Sequence, residues 1–171
     1  MSNWDLVPDI KMLAPDEWRM LHNVRLAALR ESPQNFLSTY EREEKLDEAS
    51  WRAEFSRGDW YVGIADGQPP DDPISLVGIT REPDTPAHQC FLEYPWVVPE
   101  FRGCGVAFDM INRVLDRLKR SGIRTVFLWV LDGNESARRL YKRLGFISCN
   151  HRQPLKARPG RSEELMKLDL G

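Results

Sequence analysis

Arg102-Gly103-Cys104-Gly105-Val106-Ala107 stands between an apolar run that closes on Val98-Pro99 and a helical pattern that closes near Gly122, and its reading decides the fold. Glycines at 103 and 105 permit a tight turn and let a ligand come close to the main chain. Beyond them Val106, Ala107, Met110, Ile111, Val114, Leu115 and Leu118 recur at steps of three and four, one apolar stripe of a helix that leaves Arg113, Asp116 and Arg117 outside. A helix that begins at such a turn presents its first amides unpaired and the positive end of its dipole. The stretch therefore reads as an anion cradle suited to phosphate oxygens.

Spacing separates this cradle from other phosphate loops. It lacks the Lys-Ser/Thr pair of a P-loop, and its glycines do not follow the Gly-x-Gly-x-x-Gly order of a dinucleotide-binding turn. Further along, Phe127-Leu128-Trp129-Val130-Leu131 reads as a buried strand, followed by Asn134-Glu135-Ser136-Ala137 and Leu140-Tyr141-Lys142-Arg143-Leu144-Gly145-Phe146. Asn134 suits a helix N-cap and Gly145 a C-cap. Tyr141 shares an apolar stripe with Ala137 and Leu144, where packing alone would make it a core residue.

The two segments together resemble the GNAT superfamily of N-acetyltransferases, in particular its small bacterial members. They match that family's Arg/Gln-x-x-Gly-x-Gly/Ala loop and its Asn-x-x-Ala-x-x-x-Tyr-x-x-x-Gly-Phe segment. The resemblance implies an α/β (α+β) acyl-CoA N-acyltransferase fold, a mixed central sheet of about seven strands with four or so helices, in a single domain over residues 1–171. It implies acetyl-CoA as cosubstrate, its pyrophosphate on Arg102, Gly103, Cys104, Gly105, Val106, Ala107 and Phe108, and its pantetheine arm paired like an added strand with Trp96, Val97 and Val98. Asn134 and Tyr141 would face the cofactor from the second motif. The implied activity is direct acetyl transfer to a primary amine of a small molecule through a tetrahedral intermediate.

Strand and helix signals agree along the chain. Leu6 to Met12 reads as a strand, Asp16 to Arg30 as a helix entered at Pro15, and Thr39 to Phe55 as a second helical region broken near Leu46-Asp47. Trp60 to Ala65 and Ile74 to Ile79 are strands joined by a Pro/Gly-rich hairpin loop. Cys90 to Val98 is a fourth strand and Arg124 to Leu131 a fifth. Phe146 to Cys149 and Glu164 to Leu170 form the last pair, on either side of a loop through Arg158-Pro159-Gly160-Arg161.

With 171 residues and 42% hydrophobic side chains, the chain can bury one sizeable core. A net charge of −2 and a pI near 6.0 give no basic field, so neither nucleic acid nor an anionic membrane is an expected partner. Cys90, Cys104 and Cys149 lack paired metal spacing, and no histidine has a metal-like or triad-like neighbourhood, so no metal is expected. The odd number of thiols, the absence of a leader pattern in Met1-Ser2-Asn3-Trp4-Asp5 and the lack of a long apolar run lead to the expectation of a cytoplasmic protein, monomeric or homodimeric.

The implied chemistry sets demands on the side chains. A lysine-like amine at pH 7 lies roughly 3.4 units below its pKa, which costs about 4.6 kcal/mol, whereas an α-amino group costs only about 1 kcal/mol. The first strongly requires a carboxylate or a water path. Glu93, a charge inside the apolar fourth strand, is the candidate base, against the alternative that it faces solvent or an arginine; Glu31, Glu82 and His88 are its rivals. Tyr141 is the candidate for the departing thiolate. Its phenol is mismatched to a thiol by roughly 1.5 pKa units, about 2 kcal/mol, so it acts as a hydrogen-bond donor whose proton moves late.

Three departures from the family pattern stand out. Pro95 occupies the strand position whose amide usually holds the acetyl carbonyl, and proline has no N–H; Trp96 or Val97 would have to donate. Cys104 replaces a basic or amide side chain, and Asp109 would repel a pyrophosphate if it faced one. A catalytically poor acyl-CoA-binding module therefore remains an alternative, as does a peptide N-terminal or lysine acetyltransferase. The segment Gln34 to Tyr40, with Trp51, Trp60 and Trp96, suggests an aromatic-lined acceptor pocket.

Overall fold

Punctuation by prolines, glycines and caps places the elements close to their predicted positions in the computed structural model, which describes residues 7–171. Strand β1 covers Asp9–Met12; Leu6, the predicted start of this strand, lies outside the described residues. A 3-10 turn at Pro15–Glu17 leads into helix α1 (Trp18–Glu31). The predicted break near Leu46-Asp47 divides the next region into α2 (Tyr40–Glu43) and α3 (Glu48–Arg57). Each begins at a side-chain cap: Thr39 accepts from the Arg42 amide at 3.3 Å and Asp47 from the Ser50 amide at 2.9 Å. Strands β2 (Gly58–Ile64), β3 (Ser75–Thr80) and β4 (Gln89–Val97) follow. Then come α4 (Val106–Arg120), β5 (Thr125–Leu131), α5 (Glu135–Arg143), β6 (Ile147–Pro154) and β7 (Ser162–Asp169).

Strand β6 runs further than the predicted Phe146 to Cys149. Ser148 pairs with Met166 and His151 with Leu165, so Cys149 and Asn150 form a bulge, with Asn150 at φ 53°, and the strand resumes beyond it. That bulge breaks the period-two pattern on which the shorter reading rests.

The seven strands order as β1-β2-β3-β4-β5-β7-β6, antiparallel throughout except between β4 and β5. That parallel contact is short: Gln89, Cys90 and Phe91 pair with Thr125, Val126 and Phe127, and beyond Phe91 the two strands part. Separation is enforced on the β4 side. Leu76 pairs with Trp96 but Gly78 with Glu93, so β4 holds one extra residue, a bulge at Tyr94-Pro95 with Tyr94 at φ 56°. Proline at a bulge deprives the ladder of nothing, which is why this strand tolerates it.

The two larger cores lie on opposite sheet faces. One holds no charged side chain and joins Val77, Ile79, Leu92, Val126, Leu128 and Met166 to the buried stripe of α4 and to Tyr141 and Phe146. The other, under α1 and α3, encloses Trp51, Trp60, Leu76 and Trp96, and also a charge. Arg25, 4% exposed, bonds Glu43 at 2.5 Å, Glu54 at 3.1 Å and the Tyr94 hydroxyl at 3.3 Å, with the rings of Trp51, Trp60 and Tyr94 around its guanidinium. Removing one partner from such a buried pair costs about 3–5 kcal/mol. The network ties α1, α2 and α3 to the bulged segment of β4.

Candidate active site

Where β4 and β5 part, a cavity of about 870 Å³ opens through the sheet. Its lining joins the start of α4, both edges of the split, one face of α5 and the loop after α1.

At one end the main chain forms the cradle. Gly103 and Gly105 adopt φ 75° and 83°, and Gly105 is the N-cap residue of α4. A β-carbon at either glycine would meet no protein atom within 4 Å, so what these positions require is the left-handed backbone and open space over it. The amides of Val106, Ala107 and Phe108 lie in the first turn, and Gly103, Gly105, Val106, Ala107 and Phe108 all line the cavity. Asp109 does not line it, and neither does Cys104, whose thiol turns back to the Arg102 carbonyl at 3.6 Å. Cys104, expected in the cofactor site, thus stands outside the cavity lining. The Arg102 guanidinium is likewise committed elsewhere: it pairs with Glu31 and donates Nε–H to the Val97 carbonyl at 2.9 Å.

Cations missing from the loop are supplied by α5. Arg139 and Arg143, one turn apart, line the cavity, and Arg143 lies 4.8 Å over the Phe108 ring beside the start of α4. Sequence reasoning missed both. Their signal was available: they share one helix face, four residues apart, just ahead of Gly145.

On the split edge the ladder selects one amide. Val98 donates to the Ile74 carbonyl at 2.9 Å and Trp96 stands opposite Leu76, so alternation turns Val97 N–H and C=O away from β3 and toward the split. The Trp96 and Val98 amides are therefore spent on β3, which corrects the expectation that all three positions pair with a ligand; Val98 is also outside the cavity lining. Trp96 borders it, and its indole Nε1–H donates to Glu31 at 3.0 Å.

Asn134 lines the cavity and caps α5, accepting from the Ala137 amide at 3.2 Å. Tyr141 is buried against Phe146, with ring centres 5.9 Å apart, yet borders the same cavity. Burial drives its pKa well above that of a free phenol, so the hydroxyl stays protonated.

Glu93 borders the cavity from β4. Burial raises its pKa, opposed by the Arg57 guanidinium and the Thr80 hydroxyl. Its rivals fall away on geometry. Glu31 is held at a pKa of about 2, first by Arg102 and also by Ser32 and Trp96, and makes a poor base; Glu82 and His88 lie outside the cavity lining. The aromatic walls come from Phe36, Phe91, Tyr94, Trp96 and Trp129, whereas Trp51 and Trp60 surround Arg25 in the core, contrary to the sequence expectation. Asn35, Phe36 and Leu37 close the far end. The loop that carries them is held from the β6–β7 loop by Arg158, which donates to the carbonyls of Pro33 at 2.9 Å, Gln34 at 3.1 Å and Phe36.

A sequence model of the acetyltransferase (GNAT) family matches residues 22–146, and the chain belongs to that family. It is 31% identical over 68 residues to the ribosomal protein bS18-alanine N-acetyltransferase of Haemophilus influenzae, covering 40% of this chain and 46% of that protein. Identity to the L-2,4-diaminobutyric acid acetyltransferase of Vibrio parahaemolyticus is 35% over 57 residues, 33% of this chain and 32% of that one. The chain thus spans less than half the length of the curated relatives it matches. A Salmonella typhimurium protein solved with its cofactor acetyl-CoA shares the fold at a TM-score of 0.73 and 13% identity, over 96% of this chain and 94% of that one. No helix among the described residues is long and apolar enough to cross a membrane.

Proposed function

We propose that this chain transfers an acetyl group from acetyl-CoA to the primary amine of a small molecule. The observation that carries the reading is that the α4 cradle, both edges of the split in the sheet and Glu93 line one cavity. The residues present fit such a cosubstrate: a helix N-terminus with Arg139 and Arg143 for its phosphates, and the outward-facing Val97 amide for its arm or its carbonyl. When bound, acetyl-CoA supplies an acyl group on a thiol leaving group.

Each remaining role belongs to the chain. Glu93, directly or through water, removes the proton that the attacking nitrogen must lose; its raised pKa brings its basicity nearer to working pH than that of an ordinary carboxylate. Val97 N–H is a fixed donor for the oxygen that gains charge as the amine adds. The Tyr141 hydroxyl donates to the sulfur as it departs, and burial keeps it a donor rather than a phenolate.

The relatives' names include both a protein α-amine and a small-molecule amine as acceptors. The acceptor mouth supports the smaller class, because the Arg158 ties draw two loops together over the aromatic walls. The test is thiol release from acetyl-CoA across a panel of small amines and short peptides. Turnover confined to the small amines is the expected result; peptide-only turnover, or binding of acetyl-CoA without turnover of any amine, would overturn the reading.

A further inference from the structure

The acceptor end holds a carboxylate for which the transfer chemistry has no use. Glu163 on β7 is 5% exposed, lines the cavity, and receives a single hydrogen bond, from Gln153 at 2.7 Å. No cation among the described residues pairs with it: the neighbouring Arg138 and Arg152 go to Asp132 and Glu164. The second carboxylate oxygen of Glu163 has no hydrogen-bond donor among the described residues.

Glu163 stands opposite Leu131 on β5, and Glu93 is two residues beyond the Phe91–Phe127 pair on β4. Side chains alternate, so both carboxylates project from one face of the sheet, with Trp129 on the strand between them. Two ladder spacings and two residue steps would put their Cα atoms about 12 Å apart, and the parting of β4 from β5 beyond Phe91 widens that separation. Charge is divided along the cavity. Arg139 and Arg143 lie at the cradle end, while the acceptor end, with Glu93, Glu163, Asn35, Phe36 and Trp129, offers no free cation among the described residues, since Arg102 is neutralised by Glu31.

We propose that the acceptor is a diamine: a primary amine that reacts beside Glu93 and carries a second cationic group, several carbons away, that pairs with Glu163. Aromatic walls suit the intervening carbon chain, and the ring of Trp129 adds attraction for an ammonium. A substrate carboxylate finds no partner there. The inference rests on the transferase reading above and adds the acceptor's charge pattern to it.

The experiment compares kcat/KM for 1,5-diaminopentane, pentylamine and lysine in wild type and Glu163→Gln, with acetyl-CoA affinity followed by calorimetry and folding by thermal melting. In wild type the diamine should exceed both pentylamine and lysine by about tenfold or more, as for a charge-assisted contact. In Glu163→Gln the diamine-to-pentylamine ratio should fall to about one. Pentylamine or lysine equalling the diamine in wild type, or a ratio that survives in the folded variant, would overturn the proposal. If acetyl-CoA fails to bind wild type, it is the transferase reading that falls, a failure the calorimetry tells apart.

Discussion

The two ends of the cavity are made of different materials. At the proposed cofactor end the groups on offer are mostly main chain, two left-handed glycines, the first amides of α4 and the Val97 amide on a parted strand, with Arg139 and Arg143 beside them. At the acceptor end they are side chains, contributed by the α1–α2 loop, β4, β5 and β7. A main-chain site depends on the few residue types that permit its backbone, so it leaves a spacing in the sequence. A side-chain site depends on which distant segments meet, and leaves none. The comparison also says how each end should fail, sharply in cofactor affinity at the first and selectively in the acceptor's kinetics at the second.

The harshest break is Gly105→Val. A β-branched residue at φ 83° is strained by about 1–2 kcal/mol, and its side chain enters the open space above the cradle. Acetyl-CoA affinity should fall by about a hundredfold or more; calorimetry on the folded variant checks this, and unchanged affinity would remove the cradle from the cofactor site.

Tyr141→Phe should lower kcat by about tenfold to a hundredfold where chemistry limits turnover. The cofactor's Kd should stay within a few fold, because the hydroxyl is proposed to meet a charge that exists mainly in the transition state. Full rate in this variant would leave Tyr141 a core residue alone.

Glu93→Gln sharpens the acceptor side through pH. In wild type the rate should fall as pH drops through the raised Glu93 pKa, where the base becomes protonated. The variant's deficit should be largest between that pKa and the pKa of the amine, and should close as pH rises and solvent supplies the neutral nucleophile. Stability moves the other way. A raised carboxylate pKa favours folding below the unfolded pKa, and that contribution is lost as pH rises through the folded value, so Glu93→Gln should melt higher than wild type at pH 7 and gain less at pH 4. Parallel pH-rate profiles would sink the assignment.

The mildest break is Arg158→Ala. Loss of its ties to the Pro33, Gln34 and Phe36 carbonyls should raise KM for the amine by about threefold to tenfold while leaving acetyl-CoA affinity unchanged. An equal effect on both ligands would mean that the loop serves the whole cavity.

This division of materials also explains what the sequence disclosed. The succession of strands and helices, the α4 cradle and the Asn134 cap were legible because local pattern dictates them. The choice of Val97 over Trp96 was not, since it turns on ladder parity across β3. The turn of the Cys104 thiol away from the cavity is settled by a contact with Arg102 that no motif encodes. Arg139 and Arg143 had a helix-face signal that was missed, whereas Glu163 matters through where it stands in space. Trp51 and Trp60 misled for the same reason: aromatic residues near the acceptor loop in sequence belong to the cage around Arg25 in the fold.

The short parallel seam of Gln89–Phe91 on Thr125–Phe127 has a mechanical consequence. It divides the sheet into two plates, β1 to β4 and β5 with β7 and β6, hinged along a few rungs and held from one side by the common apolar core of α4 and α5. Load applied across the sheet concentrates on those rungs. A ligand arm that accepted from the outward Val97 amide would add a rung beyond the hinge, so its arrival should slow amide exchange on both plates together, and its departure should let them breathe apart.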